Sequence, residues 1–122
     1  MRLADVHFEF REDVLIARVV GEIDMSNAAD LRTAITEATP PAAAGVVLDL
    51  SDVEYIDSAG IHLLYRLGEV LRNRGQALRV VVPPASPTSD SLRLAGVKRH
   101  VDVVEELHEG LQAVTAGRTT GR

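Results

Sequence analysis

Val46-Val47-Leu48-Asp49-Leu50, followed by Ser51-Asp52-Val53-Glu54-Tyr55-Ile56-Asp57-Ser58-Ala59-Gly60-Ile61, passes from a short apolar run through a polar segment into a helical pattern. The first five residues predict a strand buried on both faces. Residues 51–57 predict a polar loop, and a helix starts at or beside Ser58. Strand, loop and helix N-terminus, in that order, is where open α/β sheets place their ligand sites. Here the Ser58 hydroxyl is expected beside unpaired backbone N–H groups and the positive end of the helix dipole. Two readings stand side by side. Ser and Asp are preferred N-cap residues and need no further role. A phosphate on the Ser58 hydroxyl would also be stabilised by the groups that bind free anions at helix starts.

Upstream, Val6-His7-Phe8-Glu9-Phe10-Arg11 alternates apolar and polar, as a half-buried strand does. Glu12-Asp13 predicts a tight turn and residues 14–20 a second strand, the pair forming a hairpin. Gly21-Glu22-Ile23-Asp24 ends it. Ser26 is the expected N-cap of a helix whose inward face carries Ala28, Leu31, Ile35 and Ala38. Thr39-Pro40-Pro41 stops that helix. Downstream, residues 58–74 predict a helix with Ile61, Leu64, Gly68 and Leu71 as its buried stripe, Gly68 allowing a close approach to the sheet. Gly75 is its left-handed stop.

Leu78-Arg79-Val80-Val81-Val82 is the next strand, ended by Pro83-Pro84. Ser86-Pro87 predicts the start of a short helix that stops at Ala95-Gly96. Val101-Asp102-Val103-Val104 predicts a last strand, and Val104, Leu107, Leu111 and Val114 mark a final helix. The fold class is therefore α/β: a mixed sheet opened by an N-terminal hairpin, then alternating β-α units with about four helices. Residues 1–116 are expected to form one domain and 117–122 a flexible C-terminal tail.

Composition narrows the chemistry. With no cysteine, disulfides and thiolate chemistry are excluded. A net charge of −5 and 3% aromatic residues argue against direct nucleic-acid binding. No apolar run reaches membrane-spanning length and no signal-peptide core opens the chain, so a cytoplasmic protein without a membrane partner is expected. Neither Gly-rich phosphate motif occurs, and His7, His62, His100 and His108 lack metal-ligand spacing, so no cofactor and no metal are expected. His62 lies one turn after Ser58, but Ala59-Gly60 is not a nucleophile elbow and no third orienting group is evident. Asp49, Asp52, Glu54 and Asp57 form an acidic run that strand alternation would splay apart. A receiver domain needs an acidic pair after its first strand, where this chain has a hairpin.

Gly21-Glu22-Ile23-Asp24, Val47-Leu48-Asp49-Leu50-Ser51-Asp52-Val53, Tyr55-Ile56-Asp57-Ser58-Ala59-Gly60-Ile61 and Leu92-Arg93-Leu94-Ala95-Gly96-Val97 together resemble the STAS domains of anti-anti-sigma factors, over roughly residues 6–114. The resemblance implies the STAS fold and a non-enzymatic protein that binds an anti-sigma factor, commonly a serine kinase of the GHKL class. That kinase supplies ATP, metal and base. It implies Ser58 as the phosphate acceptor, with Asp24, Asp57, Ser58, Ala59 and Gly60 as partner-binding positions. A phosphatase would reverse the switch, and the protein would be a monomer or weak dimer. Ala59 stands where many members carry a second hydroxyl, which removes a secondary acceptor. Two other roles known for the family are an accessory subunit of a lipid or anion transporter and a non-switching scaffold in a stress-signalling complex.

Overall fold

The computed structural model describes residues 4–120. β1 (Asp5–Arg11) and β2 (Val14–Ile23) form the expected hairpin, antiparallel, with Arg11 opposite Val14. Its turn residue Glu12 has φ +57°, a backbone region that glycine occupies more readily. β3 (Gly45–Ile56), β4 (Ala77–Val81) and β5 (Asp102–Val104) then add in parallel, so the strand order is β1-β2-β3-β4-β5. Helices α1 (Ala28–Ala38) and α2 (Ser58–Asn73) pack on one face of the sheet, where Leu31, Ile35, Leu64 and Leu67 meet Leu15, Leu48 and Leu50. α3 (Ser89–Leu94) and a 3₁₀ turn (Val97–Arg99) contribute Leu92 and Val97 to the same core. α4 (Leu107–Thr120) covers the opposite face through Leu107, Leu111 and Val114 against Val14, Val47 and Val81.

The central strand is longer than its sequence pattern. Residues 51–56, expected as a polar loop, continue β3 and pair with β2 as far as Ile23 opposite Ile56. Register shifts between Arg18 and Val20 and between Gly21 and Glu22 each give β3 one more residue than β2. Such bulges break the two-residue alternation. Leu50, Val53 and Ile56 consequently enter one core at intervals of three, which hides the strand from a period-two reading.

Three helix starts differ from expectation. Asn27, not Ser26, is the N-cap residue of α1, because the Asp24 carboxylate takes both the Ser26 N–H and its hydroxyl. α3 begins at Ser89 after Thr88, since the Ser86 hydroxyl donates to the Pro83 carbonyl (2.8 Å) and closes a turn instead of capping. Val104 belongs to β5, where it pairs with Val81, and α4 starts at Leu107. The Glu109 carboxylate reaches back there to accept from the N–H groups of Glu105 and Glu106. The helical backbone of α4 continues through Thr120, so positions 117–120 of the expected tail are helical; residues 121–122 lie outside the described residues. Gly75 and Gly96 take the left-handed stops, at φ +74° and +71°.

The buried face of α2 is Gly60, Leu63, Leu64, Leu67 and Leu71, with Ile61 and Gly68 only half-buried. A Cβ at Gly68 would meet Leu78 Cδ2 at an ordinary 3.8 Å, so the close approach to the sheet is not made there. Leu64 is fully buried. Leu64→Ala is expected to lower the unfolding free energy by about 2–5 kcal/mol. Urea denaturation checks this, and an unmoved midpoint would contradict the assigned face.

Candidate functional site

α2 starts where β2 and β3 finish. The Asp57 N–H donates to the Ile23 carbonyl (3.2 Å), fastening the helix cap to the end of the neighbouring strand. Asp57 has extended backbone, and its Oδ1 accepts from the N–H of Ala59 (2.9 Å) and of Gly60 (3.1 Å). It is therefore the N-cap, and Ser58 is the first helical residue. This corrects the expectation that several open N–H groups surround Ser58: of the first three in α2, only that of Ser58 itself remains. Ser58 is exposed, and its hydroxyl bonds to none of the described residues.

Gly60 lies beneath this turn. A Cβ there would overlap Ile56 Cγ1 and stand 2.9 Å from Ile23 Cγ2, both on buried side chains. Gly60 is itself buried, packed against both of these side chains. Ala59 is half-buried beside the core.

Asp24 follows directly on Ile23. Its Oδ1 accepts from the Ser26 hydroxyl (2.5 Å) and the Ser26 N–H (2.9 Å). These bonds, the hydroxyl first, hold its carboxyl below the ordinary carboxylate pKa against a smaller opposing effect of burial. Buried Asn27 closes the same turn: its Oδ1 accepts from the Asp24 N–H (3.0 Å) and its Nδ2 donates to the Glu22 carbonyl (2.8 Å).

Between α1 and α2 runs an open groove of about 550 Å³. Asp57, Ser58 and Ala59 stand at its α2 side together with His62 and Arg66, while α1 and its approach supply Met25, Ala28, Ala29 and Arg32. Asp24 is outside the lining but adjoins it through Met25, which is 83% exposed. Sequence reasoning missed Met25, Arg32 and Arg66 as site residues. Ser58, His62 and Arg66 recur every four residues, so the one signal available was their shared helix face.

The rival acidic site does not assemble. Asp49 is buried and its Oδ1 accepts from the Ser51 N–H (2.9 Å) and hydroxyl (2.5 Å), whereas Asp52 and Glu54 are exposed and Asp57 is the cap. Among the described residues no cluster of His, Asp or Glu is arranged to hold a metal ion, and no helix is long and apolar enough to cross a membrane.

A family model described as the STAS domain matches residues 5–110. The anti-sigma-F factor antagonist RsfB of Mycobacterium tuberculosis is 33% identical over 106 residues, covering 86% of this chain and 84% of that protein. The crystal structure of an anti-sigma factor antagonist from Mycobacterium paratuberculosis superposes with a TM-score of 0.77 at 29% identity, covering 93% of this chain and 95% of that one. A sulfate transporter family protein from Wolinella succinogenes shares the fold, at a TM-score of 0.74 and 18% identity, over 90% of this chain and 91% of that one.

Two outcomes test the local geometry. Gly60→Ala adds about 1 kcal/mol of helix propensity but overpacks Ile23 and Ile56 at a cost of about 1–3 kcal/mol. A net loss of stability is expected, read as a lower urea midpoint; a gain would mean the contact yields freely. Because the Asp24 pKa is depressed, the stability it contributes is present above the unfolded-state pKa and is lost as pH falls through the folded one. Ser26→Ala should move the Asp24 titration, followed by carboxyl NMR, upward toward the ordinary value. An unmoved titration would assign the depression to another group.

Proposed function

This chain belongs to the STAS domain family, and from that membership we propose that it is an anti-sigma factor antagonist switched off by phosphorylation of Ser58. The observation that carries the proposal is the exposed, unbonded Ser58 hydroxyl at the mouth of the α1–α2 groove. The partner is an anti-sigma factor with serine kinase activity, which binds over the groove and brings the ATP phosphate to Ser58. A phosphatase reverses the step. The chain contributes no catalytic group. Asp57, Ser58 and Ala59 are the central contact positions, Asp24 flanks them, and Gly60 sets the height of the turn.

The transporter-subunit reading shares the fold with the Wolinella succinogenes protein, a likeness that extends to the fold alone. The identity of the mycobacterial relatives and the retained serine support the antagonist reading instead.

Phosphorylation adds about −1.5 to −2 charges at pH 7 and takes the chain from −5 to roughly −7. In the free domain the phosphate has the Ser58 N–H, the α2 dipole and the cations Arg32 and Arg66 of the same groove to offset it, while the Asp57 carboxylate opposes it. Fold stability therefore changes little. At the interface the new dianion must be desolvated beside nucleotide phosphates, and like charges repel across the gap. A hundredfold loss of affinity needs only about 2.7 kcal/mol.

With the cognate kinase and ATP, intact-mass measurement should show one added phosphate on the wild type and none on Ser58→Ala. A phosphate persisting in that variant would move the site, first to Ser51 or Ser26. In calorimetry the phosphorylated protein should bind nucleotide-loaded kinase at least about tenfold more weakly than the unmodified form. Ser58→Ala should still bind and Ser58→Glu bind poorly. Equal or tighter binding by the phosphorylated form would overturn the mechanism.

A further inference from the structure

β1 is one edge of the sheet and carries both phenylalanines of the chain. Phe8 and Phe10 are 41% and 52% exposed. By strand alternation they share a face with Val6, which packs against the core under α1 and α2; Asp5, His7, Glu9 and Arg11 face the other way. Exposed edges of this kind pair with further strands unless something blocks them, and no proline or bulge interrupts β1.

The hairpin turn decides which backbone groups are free. Arg11 and Val14 close a two-residue loop as a hydrogen-bonded pair, and bonding alternates from there along an antiparallel ladder. Glu9, His7 and Asp5 therefore bond toward β2. The N–H and C=O groups of Val6, Phe8 and Phe10 point outward.

Asp5-Val6-His7-Phe8-Glu9-Phe10-Arg11 is complementary to its own reverse about Phe8. Laid antiparallel on a second copy with Phe8 at the centre, Arg11 stands opposite Asp5, Glu9 opposite His7, Phe10 opposite Val6, and Phe8 opposite itself. Directly opposed residues share a face, so apolar meets apolar on one side; on the other Glu9 meets His7, and Asp5 meets an Arg11 guanidinium that also pairs with Glu9 of its own strand (3.1 Å). The outward backbone groups of Val6, Phe8 and Phe10 fall into hydrogen-bonded pairs. The neighbouring registers fail. Centred on Glu9, two glutamates face each other and Arg11 faces His7; centred on His7, Asp5 faces Glu9.

We infer that β1 pairs antiparallel with β1 of a second copy about a two-fold axis at Phe8, forming a homodimer with one continuous sheet. The contact is isologous, so it closes at two subunits. It is small, and small interfaces are weak, which places the dissociation constant at about 1–100 μM. Because the axis stands perpendicular to the sheet, both α1–α2 grooves lie on the same face and both stay open. The inference is independent of any modification at Ser58.

Sedimentation velocity of the full chain over roughly 5–500 μM should show a monomer–dimer equilibrium in that range. Phe8→Glu should abolish it. Arg11→Asp sets like charges against Asp5, and Asp5→Arg sets them against Arg11; each alone should dimerise at least about tenfold more weakly. Mixed in equal amounts, these two variants should form a heterodimer of at least wild-type strength, since position 5 then meets position 11 with opposite sign at both ends of the contact. Circular dichroism establishes that each variant is folded. A wild type monomeric at the highest concentration overturns the inference. So does a dimer that survives Phe8→Glu, or folded charge variants that fail to complement each other.

Discussion

The geometry at the start of α2 depends on a missing methyl group. Gly60 lets the first turn of α2 rest on Ile23 and Ile56, the last residues of two parallel strands, with no space for a Cβ between them. That contact sets the helix height. From that height the Asp57 N–H reaches the Ile23 carbonyl, the Asp57 carboxylate reaches back to the next two N–H groups, and Ser58 projects outward. Cap, packing and exposed serine form one geometric unit, and moving any part displaces the others.

The division of labour between Asp57 and Ser58 has an electrostatic side. By occupying the N–H groups of Ala59 and Gly60, Asp57 stabilises the helix start and removes the usual anion-binding donors from reach of Ser58. A charge placed on Ser58 must look to the groove instead, where Arg32 from α1 and Arg66 from α2 stand on either side. The turn holding Asp24 is fixed separately, by Ser26 and Asn27, and brings the exposed Met25 to the groove rim.

Much of this was legible in the sequence because the signals were local. The hairpin, the parallel order after it, the glycine stops at 75 and 96, and the position of Ser58 at the start of α2 all follow from short-range pattern. What escaped had a physical cause in each case. Side chains expected to cap helices, Ser26 and Ser86, were drawn into turns by Asp24 and by the Pro83 carbonyl. The α2 stripe was offset because Gly60 and Leu63 bind the sheet more closely than Ile61 and Gly68 do. Arg32 was invisible as a groove residue, and Arg66 was signalled only by sharing a helix face with Ser58, because only the packing of α1 on α2 brings the two arginines to one groove.

The two bulges of β3 have a consequence for how this segment can change in length. One extra residue in a strand turns every later side chain to the opposite face. The second extra residue turns them back, so Ile56 ends on the side it would occupy in an unbroken strand, with only Val53 passing between. The pair is neutral in parity. A lineage that lost one of these residues would point Ile56 at the wrong layer and strip Gly60 of its seat, whereas losing both would keep the alternation. Insertions and deletions between Leu50 and Ile56 should therefore be accepted by twos.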